Sequence, residues 1–288
     1  MRSCYTTILD REIHYTEFGD KSSAKFHVVM IHGFVRTCRD FDVVAEYIAR
    51  HGDAYVVCPD MIGRGLSQWS PNPEGEYNPV FYATLISELL GQLGVERAHY
   101  VGTSMGGLIG IIALGFGLPL AAKIDKFVLN DVGPHVNPAS LQRIMTYVLA
   151  PPVVKRASEM LTATADTYRG FGYNLTQDQV WSLLQPCIRR QEDGTLTTHW
   201  DPAIPKGLKP PPPGTPDMWS LYDKITRPTL VVRGEDSDVL LAETLSEMLT
   251  RGPKPKSITI SNAAHAPVLI DEADSKALLS FLAESVQQ

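Results

Sequence analysis

The chain has 288 residues, of which 44% are hydrophobic and 20% charged, an ordinary composition for a globular protein with a sizeable core. Its net charge of −6 and isoelectric point near 5.8 argue against a nucleic-acid partner, because no basic excess is present to neutralise phosphates. No apolar run approaches the roughly 18 residues of a membrane-spanning helix, so we expect no membrane association. The first five residues lack a signal-peptide core and the four cysteines are widely spaced, which favours a cytoplasmic protein with reduced thiols.

Short β-branched and aromatic runs alternate with helical patterns along most of the chain. Residues 4–9 and 13–18 predict two antiparallel strands joined by a short turn. Further strand-like runs follow at Phe26–Ile31, Ala54–Cys58, His99–Val101, Lys126–Leu129, Thr229–Val232 and Ser257–Ile260. The alternation predicts an α/β fold with a mostly parallel, twisted sheet of eight strands flanked by helices. In such a sheet, ligands bind beyond the carboxyl ends of the strands.

The alternation stops near residue 135 and resumes near residue 228. Between these points the patterns are helical, and the candidate helices are Leu141–Leu149, Val153–Leu161 and Gln177–Leu184. The proline-rich run 205–216 predicts a stiff, extended connector. We therefore predict a core formed by residues 1–134 and 223–288, with a helical cap inserted at residues 135–222.

A Gly-x-Ser-x-Gly pentapeptide spans residues 102–106 and is centred on Ser104. A strand-like run precedes it and the helical run Leu108–Phe116 follows. This order predicts a sharp strand-to-helix turn that exposes the Ser104 hydroxyl, with flanking glycines because a Cβ would obstruct the turn. The helix N-terminus offers N–H groups to a developing negative charge. Ser104 is therefore the candidate nucleophile, and a serine that merely caps the helix is the alternative.

A serine hydroxyl needs an adjacent base, and His265 is the candidate. It lies in a loop of small residues directly after the last predicted strand, at the same sheet edge as Ser104. An acid must then orient the imidazole, and the order serine, acid, histidine along the chain is expected for this type of turn. Three aspartates follow predicted strands at that edge. We favour Asp238 and keep Asp131 and Asp236 as alternatives.

The candidate donors to a developing oxyanion are the backbone N–H groups of Phe34 and Met105. Met105 follows the nucleophile, and Phe34 lies in the loop after a predicted strand, where Gly33 lets the backbone turn closely. Arg36 has two interpretations: it binds a substrate carboxylate, or it pairs with Asp40 four residues on, which we favour. No metal-ligand motif is present, so we expect neither a metal nor a cofactor.

Together these motifs resemble those of serine hydrolases with the α/β-hydrolase fold, over roughly residues 5–282. The resemblance is carried by His32-Gly33-Phe34, Asp60–Ser67, Gly102–Gly107, Arg233–Leu240 and His265. The second of these runs is similar to the family's D-x-x-G-x-G-x-S loop, which Asp60 braces. The resemblance implies hydrolysis of a small carboxylic ester through an acyl-enzyme, without a cofactor. A serine at this turn argues against the dehalogenases and epoxide hydrolases of the fold, which use a carboxylate nucleophile.

The cap pattern is similar to that of small-molecule carboxylesterases and lactonases, so we expect a serine esterase. The alternative is a lactonase or a C–C bond hydrolase of aromatic or terpenoid catabolism. The C–C hydrolases usually carry a tryptophan directly after the catalytic histidine, where this chain has Ala266. A receptor-like member that binds a small ligand is a third interpretation, because receptors that resemble this fold can retain an intact triad. We expect a monomer or a homodimer.

Overall fold

The computed structural model describes residues 1–170, 173, 175–208 and 217–285. Its ten described strands are β1 (Arg2–Ile8), β2 (Arg11–Phe18), β3 (Phe26–Ile31), β4 (Ala54–Pro59), β5 (Ala98–Thr103), β6 (Ile124–Asn130), β7 (Ile188–Arg190), β8 (Leu196–Thr198), β9 (Thr229–Gly234) and β10 (Lys256–Ile260). Eight of them form one sheet in the order β1-β2-β4-β3-β5-β6-β9-β10, and β7 pairs with β8 in a separate hairpin. Only β1, β2 and β4 pair antiparallel within the sheet. The prediction of a mostly parallel, eight-stranded sheet is confirmed.

Helices cover both faces of the sheet. The described helices are α1 (Asp42–Gly52), α2 (Pro73–Glu76), α3 (Pro79–Gln92), α4 (Met105–Phe116), α5 (Pro119–Lys123), α6 (Pro138–Leu149), α7 (Ala157–Gly170), α8 (Gln177–Leu184), α9 (Met218–Tyr222), α10 (Ala242–Met248) and α11 (Glu272–Ala283). Successive residues of a strand point to opposite faces. Tyr100 of β5 therefore packs in the cluster with α3 and α4, and its neighbour Val101 packs with α1 and α11. Burial on both faces explains why the central strands are almost continuously apolar.

Between β6 and β9 the chain leaves the sheet and forms helices and the β7–β8 hairpin. Two of the predicted helices correspond to α6 and α8, but the one predicted at residues 153–161 starts too early. Helix α7 begins at Ala157, because Val154 is instead hydrogen-bonded to Leu196 at the edge of the hairpin. A backbone that pairs with a strand cannot at the same time make helical hydrogen bonds.

At its start, the proline-rich run is helical and not the extended connector that the sequence predicts. Ile204–Gly207 forms a short 3-10 helix, with Pro205 in the first turn, where a missing N–H has no cost. Residues 209–216 of that run lie outside the described residues. Within the part of the chain that the structure describes, no helix combines the length and the apolar character needed to cross a membrane.

The turn between β5 and α4 depends on two glycines. A Cβ on Gly106 would overlap the carbonyl oxygen of Ile31 in β3, and a Cβ on Gly102 would overlap the backbone of Gly106. The first turn of α4 can therefore pack against β3 only when both side chains are absent. Ser104 between them has a φ of 50°, a conformation that costs a residue with a side chain about 1–3 kcal/mol.

We predict that Gly106→Ala lowers the free energy of unfolding by at least about 1–3 kcal/mol, because the methyl group must displace backbone rather than a flexible side chain. Urea denaturation monitored by circular dichroism measures the change. The matched control is Gly91→Ala in α3, where a Cβ meets open space and stability should be unchanged or rise by up to about 1 kcal/mol. Equal stability of the two variants would contradict the steric argument.

Candidate active site

Ser104 lies at the carboxyl end of β5, where the chain turns into α4. Its N–H donates to the carbonyl oxygen of Asn130 at the end of the neighbouring strand β6, at 3.0 Å, which ties the turn to the sheet. The side chain lines a cavity of about 140 Å³ at this edge. The predicted strand-to-helix turn is thus present, and its serine faces a cavity.

The loop after β10 brings His265 to this serine. Its Nε2 lies 2.9 Å from the Ser104 hydroxyl oxygen. Two side chains from other parts of the molecule hold the loop. The Asn130 amide donates to the carbonyl oxygen of Pro267, and the Tyr173 hydroxyl donates to the next carbonyl group back along the chain, both at 3.0 Å. The segment between β6 and β9, which contains Tyr173, therefore helps to position the imidazole.

The second imidazole nitrogen, Nδ1, lies 2.7 Å from Oδ2 of Asp131. Asp131 directly follows β6 and is fully buried. Its carboxylate also accepts hydrogen bonds from the Gly234 N–H at 2.9 Å and from the Ser237 hydroxyl at 2.6 Å. These donors replace the water that a buried carboxylate has lost. With Nδ1–H donating to Asp131, Nε2 of His265 is left to accept the serine proton.

The aspartate favoured from the sequence does not reach the imidazole. The carboxylate of Asp238 binds Nε and Nη2 of Arg143 in α6 at 2.8–3.1 Å, and its side chain is 43% exposed. Asp236 is exposed in the same loop. The geometry corrects the preference for Asp238 and brings the alternative, Asp131, to the site. The reason is strand order: β6 lies directly beside β5, whereas β9, which leads to Asp238, is one strand further away.

The loop after β3 lies against Ser104. A methyl group built on Gly33 would be 3.7 Å from Cβ of Ser104, so the residue before Phe34 packs against the serine side chain. Met105 is the first residue of α4, and the first N–H groups of a helix have no acceptor within the helix. Both candidate oxyanion donors therefore belong to segments that flank Ser104.

His32 holds this loop to the loop after β4. Its Nε2 accepts from the Met61 N–H at 3.0 Å, and its Nδ1–H donates to the Gly33 carbonyl oxygen at 2.7 Å. Burial lowers the pKa of His32, which keeps the ring neutral. Only a neutral ring can accept a hydrogen bond from one backbone group and donate one to another. Both hydrogen bonds of His32 therefore depend on the lowered pKa that burial produces.

A buried arginine that sequence reasoning missed contacts both candidate oxyanion residues. Arg64 donates from Nε to the Phe34 carbonyl oxygen at 2.9 Å, and its Nη2 approaches the Met105 sulfur at 3.7 Å. Its Nη1 donates to the Tyr82 hydroxyl at 2.6 Å, and the guanidinium lies on the rings of Phe34 and Tyr82. Among the described residues, no carboxylate forms an ion pair with it. In the sequence, only its position between two glycines of the loop after β4 distinguishes this arginine from the others.

The cavity beside Ser104 has one charged pair in its wall. Arg36 and Asp40 line it and form the ion pair favoured from the sequence, with Nε–Oδ2 at 2.8 Å and Nη2–Oδ1 at 2.6 Å. Burial alone would lower the pKa of Arg36, but the Asp40 carboxylate raises it well above its ordinary value. The rest of the wall is mainly apolar or aromatic, including Ile144, Tyr147 and Tyr168. These three residues lie in α6 and α7.

A buried group of His14, Cys38 and Asp60 has ligand atoms within 4.8 Å of one another, as in a metal site. The Asp60 carboxylate already accepts from His14 Nδ1 at 2.7 Å and from the N–H groups of Cys38 and Leu66. Burial raises the pKa of the Cys38 thiol well above its ordinary value, which disfavours the thiolate that a metal needs. These contacts fit a brace for the loop after β4.

Comparison with known proteins agrees with this fold. Residues 28–278 match the alpha/beta hydrolase family. The chain is 37% identical over 268 residues to the 3-hydroxybutyrate-oligomer hydrolase of Cupriavidus necator. The alignment covers 90% of this chain and 88% of that protein. It is 25% identical over 271 residues to 2-hydroxy-6-oxononadienedioate/2-hydroxy-6-oxononatrienedioate hydrolase 2 of Pseudomonas putida, with 89% and 86% covered.

A solved structure is also similar to this chain in sequence and in fold. An alpha/beta hydrolase from Novosphingobium aromaticivorans, determined at 1.50 Å resolution, superposes with a TM-score of 0.83 and is 33% identical, over 98% of this chain and 97% of that one. The family match covers most of the chain, and the similarities extend over nearly its full length. The chain therefore belongs to the alpha/beta hydrolase family and is a hydrolase.

Proposed function

We propose that this protein is a serine esterase that cleaves small carboxylic esters through an acyl-enzyme. The observation that carries the proposal is the continuous hydrogen-bonded series Ser104, His265, Asp131 at the edge of a cavity. This series supports the proposal because the proposed nucleophile, base and acid follow one another in the order that acyl transfer requires.

In the proposed reaction, Ser104 Oγ attacks the ester carbonyl carbon while His265 Nε2 takes its proton. The Phe34 and Met105 N–H groups bind the negative charge that develops on the carbonyl oxygen. The tetrahedral intermediate collapses, the C–O bond to the alcohol breaks, and His265 returns the proton to the leaving oxygen. Water then attacks the acyl-enzyme while His265 takes its proton, the bond between the acyl carbon and Ser104 Oγ breaks, and His265 returns the proton to the serine as the acid is released. Asp131 keeps the Nδ1 proton in place and stabilises the imidazolium.

Arg64 is proposed as a positioning residue for the oxyanion donors. Its hydrogen bond to the Phe34 carbonyl fixes one loop, and its contact with Met105 fixes the start of α4. The guanidinium charge also lies in a region from which water is excluded, where a cation favours negative charge nearby. Arg64 does not need to touch the substrate for either effect.

The proposed substrates are short esters of hydroxy acids, which the 37% identical relative supports through its name, a 3-hydroxybutyrate-oligomer hydrolase. A second candidate is C–C bond hydrolysis, supported by the more distant relative from Pseudomonas putida. Hydrolysis of a lactone, which is a cyclic ester, would use the same acyl-enzyme chemistry as the proposed esterase. We further propose that residues 135–222 act as a cap over the cavity, because Ile144, Tyr147 and Tyr168 of that segment line it.

We predict that a fluorophosphonate adds once to the protein and that hydrolysis of p-nitrophenyl butyrate accompanies this reactivity, with both lost in Ser104→Ala. Intact mass and absorbance measure the two effects. Comparison of a 3-hydroxybutyrate dimer, a lactone and a vinylogous 1,5-diketone then separates the candidate reactions, and faster turnover of the diketone would favour C–C hydrolysis. A folded protein with neither adduct nor turnover, but with tight ligand binding, would contradict the esterase proposal and favour a receptor.

We predict that Asp131→Asn lowers kcat about 10³- to 10⁴-fold, because an amide no longer holds the imidazole in the required tautomer. The matched variant, Asp238→Asn, removes an aspartate that binds Arg143 instead and should change kcat less than about threefold. Steady-state kinetics with p-nitrophenyl butyrate give the comparison, and thermal melting confirms that both variants fold. The reverse ranking of the two variants would make Asp238 the catalytic acid.

We predict that Arg64→Met lowers kcat at least about 10-fold with little change in KM, because the oxyanion donors act mainly in the transition state. Replacing a buried cation by an apolar side chain of similar length need not unfold a protein. Lys126→Met is the control, since Lys126 is also buried but donates to carbonyl groups near the end of α11. If both variants lose activity only in proportion to folded protein, Arg64 has no role in positioning.

A further inference from the structure

The Arg36–Asp40 pair has unused hydrogen-bonding capacity at the cavity. Arg36 Nε and Nη2 bind Asp40, and Nη2 also donates to the Leu183 carbonyl oxygen at 3.1 Å. No group in the described part of the chain accepts from Nη1. Each Asp40 oxygen accepts one of these bonds, and a carboxylate oxygen has room for a second. The side chains are 27% and 20% exposed, so a molecule in the cavity can reach them.

The pair lies close to the nucleophile. A methyl group built on Gly33 would lie 3.5 Å from Cγ of Arg36 and 3.7 Å from Cβ of Ser104, so the two side chains flank the same small residue. Ser104, Arg36 and Asp40 also line the same cavity of about 140 Å³, so a ligand whose carbonyl carbon meets Ser104 can contact the pair as well. Most other side chains in the cavity wall offer apolar or aromatic contact.

The charges of the pair select the kind of group that binds there. A carboxylate is attracted by Arg36 but repelled by Asp40, and an ammonium group meets the opposite forces, so neither gains much. A neutral hydroxyl is repelled by neither charge, and it can donate a hydrogen bond to an Asp40 oxygen that has room for a second donor. Hydrogen bonds to charged partners are the stronger ones, which gives such a hydroxyl a clear advantage over a hydrogen atom.

We propose that Arg36 and Asp40 form a subsite for a hydroxyl group on the acyl chain, close to the ester carbonyl, and so select hydroxyacyl esters over simple acyl esters. The hydroxyl donates a hydrogen bond to the Asp40 carboxylate, and Arg36 holds that carboxylate in place and balances its charge. This inference rests on the proposed esterase function and adds to it the feature of the substrate that is recognised. It places the hydroxyl on the acyl side of the bond that is cleaved.

The test compares p-nitrophenyl 3-hydroxybutyrate with p-nitrophenyl butyrate, which differ only in the hydroxyl. The unmodified protein should favour the hydroxy ester in kcat/KM by about 10- to 100-fold. In the double variant Arg36→Met, Asp40→Leu the ratio should fall toward one. The double change leaves no unpaired charge in the wall, which protects the fold. The single variant Asp40→Asn keeps the shape of the side chain and should give an intermediate ratio.

The control is Arg39→Met, which breaks a neighbouring ion pair, with Asp42, that does not line this cavity. Its ratio should equal that of the unmodified protein. A merely structural role of the pair would lower both rates together and leave the ratio unchanged, which would overturn the subsite. If the unmodified protein cleaves both esters equally, the subsite fails while the esterase proposal stands. If it cleaves neither, the esterase proposal fails.

Discussion

A single buried carboxylate holds together the sheet edge at which Ser104 and His265 meet. Asp131 receives hydrogen bonds from Gly234 at the end of β9, from Ser237 in the loop that follows, and from His265 after β10. Loss of any one of these donors would leave the buried carboxylate with an unmade hydrogen bond, at a cost of about 1–3 kcal/mol. The same contacts therefore stabilise the loops and fix the imidazole. The hydrogen bonds that satisfy the buried carboxylate are thus also the ones that hold the proposed base.

A second network supports the other side of Ser104, the proposed nucleophile. Asp60 braces the loop after β4, and His32 connects that loop to the one that carries Phe34. Arg64, from the same loop, reaches both Phe34 and Met105. The positions of the two candidate oxyanion donors thus depend on packing beneath them, which is where a preorganised site needs its rigidity.

Local patterns in the sequence indicated much of the fold. Apolar runs of strand length alternating with helical periods predict a parallel sheet, because burial on both faces removes polar positions from the strands. The pattern was less informative between β6 and β9. There the start of α7 is decided by Val154, which pairs with Leu196 some forty residues away. Such a long-range contact leaves no periodic trace in the sequence, so propensity alone misplaced the helix.

The sequence by itself determined the turn at Ser104 and the loop of His265, because glycine spacing and the position after a strand are local properties of the chain. It left three aspartates open, since all of them follow strands that end at the same edge. Only the tertiary structure decided among them, because the lateral order of the strands sets β6 beside β5. Packing likewise brought Arg64 to the oxyanion residues and Arg143 to Asp238. Contacts between distant segments depend on how the sheet is assembled, and no single segment encodes that.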